Sequence, residues 1–348
     1  MQTGLKIQTL VLAILFCAVS MSGMLFFARN KAIEIDNVAQ DQVVAGNGLA
    51  DGVQEAGGSL RFRQTEETTE YLCIPLESGV KAEGVTIENH YMEQQVWVYI
   101  KDTTSDFYAK EAVSGNLEGI TEGIYEHAGG TTLIKFTLAD VYECKSILEE
   151  GYLYIDFVLP GDVYDKIVVI DAGSGGAESG IVSGTLVEKD INLDIIKRLK
   201  LLMDNSGIKV YYTRTNDVEI PLEERIALAN NTDADMFISV QLNTSENVAL
   251  YGAQAYYNDR YFIPGFGSIE LADTVERAVV MELSTKGNGL FAAEEEDILL
   301  QNAEIPATVI KVGYASNEQE AALLQKEEYR DQIALGLYNA ILAVYENK

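Results

Sequence analysis

Histidine and cysteine are scarce in this chain of 348 residues. The two histidines are His90 and His127, and the last of the three cysteines is Cys144. No two cysteines form a CxxC pair and no histidine lies beside one, so a zinc knuckle is not expected. A metal site in the residues after Cys144 would have only carboxylate, hydroxyl and amide ligands, which suit zinc poorly.

Positive charge is also in short supply. Lysine and arginine number 25 against 54 aspartate and glutamate residues, which gives a formal net charge of −29. A field of this sign repels nucleic acid and anionic lipid surfaces. We therefore expect no nucleic-acid partner.

Charge is missing altogether from one long stretch near the N-terminus, Ile7 to Ala28. At about 1.5 Å per residue, a helix of this length reaches across the hydrocarbon core of a bilayer. We predict an uncleaved signal anchor over residues 1–29, which makes the protein a single-pass protein of the cell membrane with most of the chain outside. The alternative is a secretory signal peptide cleaved after Ala18-Val19-Ser20.

Two regions of different character follow this stretch. Residues 30–59 are rich in small residues, amides and acids without a sustained period, and they predict a flexible linker. Residues 60–160 predict a small β-sandwich, because Val96 to Tyr99 and Leu133 to Leu138 alternate between apolar and polar. Both histidines lie here, where we expect surface or hydrogen-bonded side chains rather than ligands. Cys73 and Cys144 are predicted to be two separate thiols, with a disulfide as the alternative.

From residue 166 to 348, strand patterns alternate with helix patterns, which predicts an α/β sheet flanked by helices. The apolar strand Ile167 to Ile170 passes into a loop with five glycines, and Glu188 begins a long amphipathic helix. A strand, a glycine-rich loop and a helix in this order commonly build a site at the carboxyl edge of an open sheet.

Six segments of this region have a recognisable pattern. They are Val169 to Gly176, Glu188 to Leu193, Thr213-Arg214 with Asp217, Leu222 to Asn230, Ala234 to Ser239, and Pro306 to Asn317. In this order they resemble the zinc-dependent N-acetylmuramoyl-L-alanine amidases of the amidase 3 type, which hydrolyse the cell wall. The resemblance implies a twisted α/β sheet flanked by helices. The β-rich region resembles, by architecture and position, the AMIN-type domains that accompany such amidases and bind the wall.

The resemblance also locates the positions of the family's chemistry. In that family two histidines and one glutamate hold zinc, and a second glutamate activates the zinc-bound water. The metal-ligand positions fall on Ser174, Glu188 and Gln241, and the catalytic glutamate position falls on Lys311, so only Glu188 is retained. An ammonium group repels a divalent cation and does not replace a carboxylate base. We therefore expect no zinc, no other cofactor and no catalytic residue.

Loss of the metal leaves Glu188 without a counter-charge in a partly buried place. We expect it to form an ion pair with Lys311, while Ser174 and Gln241 fill the site as neutral hydrogen-bonding groups. The alternative is that the Lys311 side chain extends to solvent at the end of its strand. Glu178, Asn243 and Lys311 are candidates for the walls of a groove.

Two further features receive modest interpretations. Residues 294–297 form an acidic run, which predicts a solvated loop or helix rim, with calcium binding as the alternative. Tyr256, Tyr257 and Tyr261 are predicted to pack in and after a strand, with stacking on sugar rings as the alternative.

The sequence therefore predicts a membrane-anchored extracellular cell-wall protein whose amidase-like domain has lost zinc and hydrolysis. Such a pseudoenzyme would bind peptidoglycan fragments or a cell-envelope protein and would regulate wall hydrolases. One alternative is an active peptidoglycan amidase with a non-standard site. The other is an envelope scaffold protein that does not bind the wall.

Overall fold

The computed structural model describes residues 32–38, 55–63, 69–149, 151–260 and 264–347. The predicted membrane anchor, residues 1–29, lies outside these ranges, as does most of the predicted linker. Within the described ranges, no helix combines the length and the hydrophobicity that crossing a bilayer requires. The anchor therefore stays a prediction.

The first part of the chain forms two β-sheets that share one apolar core. Their strands are β1 (Ile35–Val38), β2 (Ala56–Ser59), β3 (Arg61–Arg63), β4 (Leu72–Pro75), β5 (Val85–His90), β6 (Gln95–Lys101), β7 (Ala112–Gly115), β8 (Ile120–Ala128), β9 (Thr131–Leu138), β10 (Glu143–Glu149) and β11 (Tyr152–Val158), with short helices α1 (Phe107–Lys110) and α2 (Pro160–Val163). One sheet has the order β1-β5-β6-β9-β8-β2 and the other β10-β11-β4-β7-β3. The inward-facing residues of both, such as Val98, Phe136 and Leu153, form a single cluster, as the alternating pattern requires.

The structure differs from the predicted linker at two places. Strand β1 pairs in parallel with β5, and strand β2 pairs with β8 in the antiparallel sense. Each strand is only four residues long, which is too short to show a period. Strand β2 has the sequence Ala-Gly-Gly-Ser and is held by its backbone, so its side chains give no signal.

The polar and sulfur groups of this part lie within the fold. Cys73 and Cys144 are separate thiols, as predicted. His90 and His127 are both almost fully buried and hydrogen-bonded, to Glu88 and Thr132 respectively. His127 lies on strand β8.

The second part of the chain is an α/β sheet flanked by helices, and this prediction is confirmed. The elements are β12 (Ile167–Ala172), β13 (Val182–Ser183), β14 (Leu186–Val187), α3 (Glu188–Met203), β15 (Lys209–Tyr212), α4 (Leu222–Asn231), β16 (Met236–Asn243), β17 (Ala253–Tyr257), α5 (Ser268–Leu283), β18 (Gly287–Ala292), α6 (Ile298–Gln301), β19 (Ala307–Tyr314), α7 (Glu318–Leu324) and α8 (Glu327–Asn347). The sheet order is β15-β12-β16-β19-β17-β18, and only β17 with β19 is antiparallel. Every residue of β12 is buried, which suits a parallel strand covered on both faces.

Two details were not expected from the sequence. Strand β18 was missed, because its two glycines interrupt any alternation. The C-terminal stretch forms two helices, α7 and α8, rather than one, and they are separated at Gln325 and Lys326. Helix α8 packs against both α3 and α5 and covers one face of the sheet.

Polar contacts join the two parts along β15, the outermost strand of its sheet. The Tyr91 hydroxyl donates to the carbonyl oxygen of Tyr212 at 2.8 Å and accepts from its N–H at 3.3 Å. The carboxylate of Glu143 accepts from the Tyr211 hydroxyl at 2.5 Å and lies 2.6 Å from Lys209 Nζ. The first part of the chain is thus tied to the backbone and to the side chains of β15.

Glu320, on α7, fixes the end of β19 and is expected to make stability depend on pH. Its carboxylate accepts from the N–H groups of Gly252 and Tyr314, and it is 3% exposed. Burial raises its pKa, although those N–H groups oppose the change. The folded chain therefore holds the Glu320 proton to higher pH than the unfolded chain does, so protonation of Glu320 stabilises the fold. This contribution to the free energy of unfolding is complete at low pH and is lost as pH rises through the folded pKa.

The test compares Glu320→Gln with the wild type. Between about pH 4 and 7, the difference in free energy of unfolding should move in favour of the variant as pH rises, because glutamine does not ionise. Urea unfolding at each pH measures the difference. Glu318→Gln removes an exposed carboxylate from the same helix and is the control. If the difference in free energy of unfolding from the wild type changed equally with pH in the two variants, the prediction would be contradicted.

Candidate functional site

A cavity of about 570 Å³ opens at the carboxyl ends of β12, β16 and β19. Its walls include Gly173, Ser174, Glu178, Gly180, Ile181, Glu188, Gln241, Leu242, Tyr256, Glu294, Glu296, Asp297 and Lys311. In the sheet register Asp171 lies opposite Ser239, and Gln241 lies opposite Lys311. Five of the six site residues predicted from the sequence therefore meet in one cavity.

Glu188 is held in place by the backbone of two different segments. One carboxylate oxygen accepts from the N–H of Ile181 at 2.7 Å, and the other accepts from the N–H of Leu242 at 2.8 Å. The side chain is 6% exposed. Gly180 permits this approach, since a Cβ there would lie 2.6 Å from Glu188 Oε2 and its φ of +65° suits glycine.

Ser174 and Gln241 flank Glu188 as neutral polar groups. Ser174 has a φ of +58°, a left-handed conformation that few residues other than glycine adopt readily. Among the described residues, the Gln241 amide makes one hydrogen bond, a long one of 3.4 Å from its Nε2 to the Ser239 hydroxyl. Its Cγ lies so near Gly173 that a side chain there would collide with it. Both side chains therefore line the cavity beside Glu188 as neutral groups.

The predicted ion pair between Glu188 and Lys311 is wrong. No oxygen of Glu188 lies within 4.0 Å of Lys311 Nζ. The ammonium instead lies over the ring of Tyr256, 5.2 Å from its centroid. The physical reason is that two backbone N–H groups already stabilise the carboxylate, while the face of an aromatic ring attracts the cation.

Asn243 does not line the cavity. Its side chain is 8% exposed, donates to Gln254 Oε1 at 2.9 Å and accepts from the N–H of Thr244. The pairing of β16 with β19 shifts between Gln241 and Asn243. Because such a shift changes the face on which following residues lie, counting along the strand misplaces Asn243.

Two fully buried arginines hold the backbone of the loop after β12, and the sequence assigned them no role. Arg225 donates to Asp171 Oδ1 at 2.9 Å and to the carbonyl oxygens of Ala172, Ser174 and Ile220.

Arg214 donates to the carbonyl oxygens of Ala172, Gly173, Lys189 and Asn216. Burial lowers the pKa of Arg214 to about 10, with Asp171 opposing the change. The only signal in the sequence that could have indicated the role of the two arginines was a charged residue near an apolar strand.

The acidic run at residues 294–297 borders the cavity. Glu294 and Glu296 are exposed, as the prediction of a solvated rim requires. Asp297 accepts from the N–H of Leu300 at 3.0 Å and caps α6. The sequence did not show that this run reaches the same cavity as Lys311.

The residues present do not fit the zinc ion that the resemblance implies. Of the four positions, only Glu188 carries a group that zinc sites commonly use, and both of its oxygens accept backbone N–H groups. The hydroxyl and amide beside it are poor zinc ligands, and Lys311 adds a positive charge to the same cavity. Over the described ranges, no cluster of three or more acids, histidines and cysteines could hold a metal.

Comparison with known proteins gives matches to the second part of the chain. A model of the N-acetylmuramoyl-L-alanine amidase family matches residues 168–343. The chain is 29% identical over 201 residues to the germination-specific N-acetylmuramoyl-L-alanine amidase of Bacillus subtilis, covering 53% of this chain and 81% of that protein. It is 32% identical over 181 residues to the uncharacterized protein YqiI of Bacillus subtilis, covering 52% and 85%. A solved N-acetylmuramoyl-L-alanine amidase from Clostridium difficile 630 matches with 32% identity and a TM-score of 0.49, covering 53% and 98%.

The family match extends from the first strand of the α/β sheet into its last helix. It therefore includes the strands that carry Ser174, Gln241 and Lys311 or lead into them, together with the helix that begins at Glu188. The resemblance predicted from the sequence is confirmed at the level of the family. This chain belongs to the N-acetylmuramoyl-L-alanine amidase family of the amidase 3 type.

Proposed function

We propose that this protein binds peptidoglycan fragments through its amidase-like domain without binding zinc and without cutting them. The proposal rests on one observation, which is the set of side chains that the cavity offers as metal ligands. Of the residues at the four positions of family chemistry, Glu188 alone is retained, and Lys311 places a cation where the family has its catalytic carboxylate. The Lys311 ammonium disfavours a divalent ion at these positions, while the shape and polar walls of the cavity still suit a ligand.

The chain's own residues account for binding. Glu188 is fixed by two N–H groups, and the carbonyl oxygens of the loop after β12 are fixed by Arg214 and Arg225. A rigid wall of this kind binds a ligand at low cost in conformational entropy. No described histidine or cysteine lies at the cavity to activate water or to act as a nucleophile.

An active peptidoglycan amidase with a non-standard site is the competing proposal. The names of the relatives favour it, since the germination-specific protein of Bacillus subtilis is itself called an N-acetylmuramoyl-L-alanine amidase. The two proposals differ in zinc content and in the release of peptides, and a single preparation tests both.

The first experiment uses the full chain, incubated with zinc and then dialysed. We expect sedimentation with insoluble peptidoglycan that the cavity variant Lys311→Met weakens, zinc content at the level of the buffer, and no release of stem peptides. Elemental analysis and chromatography of the soluble fraction measure the last two. Stoichiometric zinc together with peptide release would overturn the proposal in favour of an active amidase. Absence from the peptidoglycan pellet would favour an envelope scaffold without wall binding.

The place of the protein in the cell forms part of the same proposal. The uncharged stretch from Ile7 to Ala28 would anchor the chain in the membrane, with the two folded parts outside. The first part would act as an AMIN-like wall-binding domain, and a catalytically silent relative at the wall would regulate active hydrolases by occupying their ligand. An envelope protein as the bound partner is the alternative ligand.

A further inference from the structure

Two opposite charges face the cavity without neutralising each other. The carboxylate of Glu188 and the ammonium of Lys311 both line it. No distance between their charged atoms falls within 4.0 Å. A ligand that satisfies both must therefore carry a positive and a negative group.

Glu188 has unused capacity for a cation. Its two oxygens accept two backbone N–H groups, whereas an ionised carboxylate offers about four acceptor positions. It is 94% buried, being 6% exposed, and no lysine, arginine or histidine of the described ranges lies within 4.0 Å. A buried carboxylate without a cation is costly, so an ammonium group that enters the cavity gains a favourable partner.

Lys311 has unused capacity for an anion. Among the described residues, the Lys311 ammonium contacts only the face of the Tyr256 ring, which leaves its three N–H donors without an acceptor there. Glu294, Glu296 and Asp297 line the same cavity, but their carboxylate oxygens lie beyond 4.0 Å from the ammonium nitrogen. A carboxylate is the ligand group that an ammonium of this kind binds most strongly.

We propose that the cavity binds a zwitterion, namely a free amino acid or a short peptide with unblocked ends. Its ammonium group lies against Glu188, and its carboxylate lies against Lys311. Ser174 and Gln241, which are neutral, tolerate either group beside them. The acidic rim of Glu294, Glu296 and Asp297 disfavours ligands with excess negative charge.

The inference deepens the proposed function and rests on it. Hydrolysis of the amide between muramic acid and L-alanine releases a peptide with a free ammonium group, whereas the intact wall has an amide nitrogen at that place. A cavity selective for a zwitterion therefore recognises what an active amidase releases rather than what it cuts. The chain would bind the product of its relatives.

The test is isothermal titration calorimetry of the full chain with the tripeptide Ala-Ala-Ala, whose only charges are at its two ends. Two matched ligands remove one charge each: the N-acetylated peptide and the C-amidated peptide. Each is expected to bind about tenfold more weakly or worse, because each loses one charge-assisted contact. Equal binding of the N-acetylated and free peptides would overturn the zwitterion, as would equal binding of the amidated peptide.

Variants assign each end of the ligand to its residue. Lys311→Met should abolish the difference between free and amidated peptide, and Glu188→Gln should abolish the difference between free and acetylated peptide. Lys197→Met, which removes an exposed lysine of α3, should preserve both differences. Circular dichroism checks that each variant is folded; if Glu188→Gln is not, the ligand series and Lys311→Met still decide.

Failure of this inference is distinguishable from failure of the proposed function. If the chain sediments with peptidoglycan but does not prefer unblocked peptides, the zwitterion proposal is overturned and non-hydrolytic wall binding remains. Zinc uptake with peptide release would overturn the proposed function whatever the peptide preference. Loss of both peptide and peptidoglycan binding would overturn both.

Discussion

Replacement of Arg225 by methionine is expected to lower the free energy of unfolding by about 3–5 kcal/mol. Arg225 and Asp171 are both 0% exposed, and the guanidinium is bonded to Asp171 and to three carbonyl oxygens. Methionine matches the length of the arginine stem but leaves Asp171 buried without its cation. Urea unfolding followed by far-ultraviolet circular dichroism measures the change.

Arg277→Met is the matched control. Arg277 also pairs with an aspartate, Asp273, at 2.9 Å, but its side chain is 74% exposed. Water screens such a pair, so we expect a change of about 0.5 kcal/mol or less. Similar losses for the two arginine variants would contradict the view that burial makes the Asp171 pair critical.

The second large effect is a gain of metal binding and of activity. The variant combines Ser174→His, Gln241→His and Lys311→Glu, and it is expected to bind stoichiometric zinc and to release peptides from peptidoglycan, whereas the wild type does neither. Histidine is among the residues that tolerate a positive φ, so the φ of +58° at position 174 does not exclude it. Three ligands of the type that zinc prefers would then face one cavity.

The control for this variant removes the lysine without supplying imidazole: Ser174→Ala, Gln241→Ala and Lys311→Glu. It should bind no zinc, which separates the effect of charge from that of ligands. Elemental analysis and chromatography of released peptides measure all three proteins. A histidine variant without zinc would contradict the assignment of positions 174 and 241 as the lost ligands. Equal activity in the wild type would contradict the proposed loss.

The sequence predicted the α/β sheet and most of its strands because a buried parallel strand such as β12 is an unbroken apolar run. It did not predict β1 or β2, since short strands at the margin of a sheet are held by backbone pairing that any residue can provide. The glycine-interrupted β18 was missed for a related reason. The periodicity of a sequence reflects which side chains are buried. It therefore gives no information on strands that are held by backbone pairing alone.

The candidate site was predicted in part. Family positions located Ser174, Glu188, Gln241 and Lys311, and the structure brings them together. The ion pair between Glu188 and Lys311 was wrong because the two N–H groups that hold the carboxylate come from Ile181 and Leu242, which are distant in sequence from each other. Hydrogen bonds from backbone groups leave no trace in residue types, so chemical pairing inferred from charge alone overlooked them.

The hydroxyl of Tyr91 has a consequence beyond joining the two parts of the chain. It occupies an N–H and a C=O of Tyr212 on the free side of β15, where a strand from a second molecule would otherwise add. Unpaired strands at a sheet margin are a common route to self-association. An amidase-like domain separated from the first part of the chain would therefore expose unpaired backbone groups of β15, and we expect that fragment to self-associate.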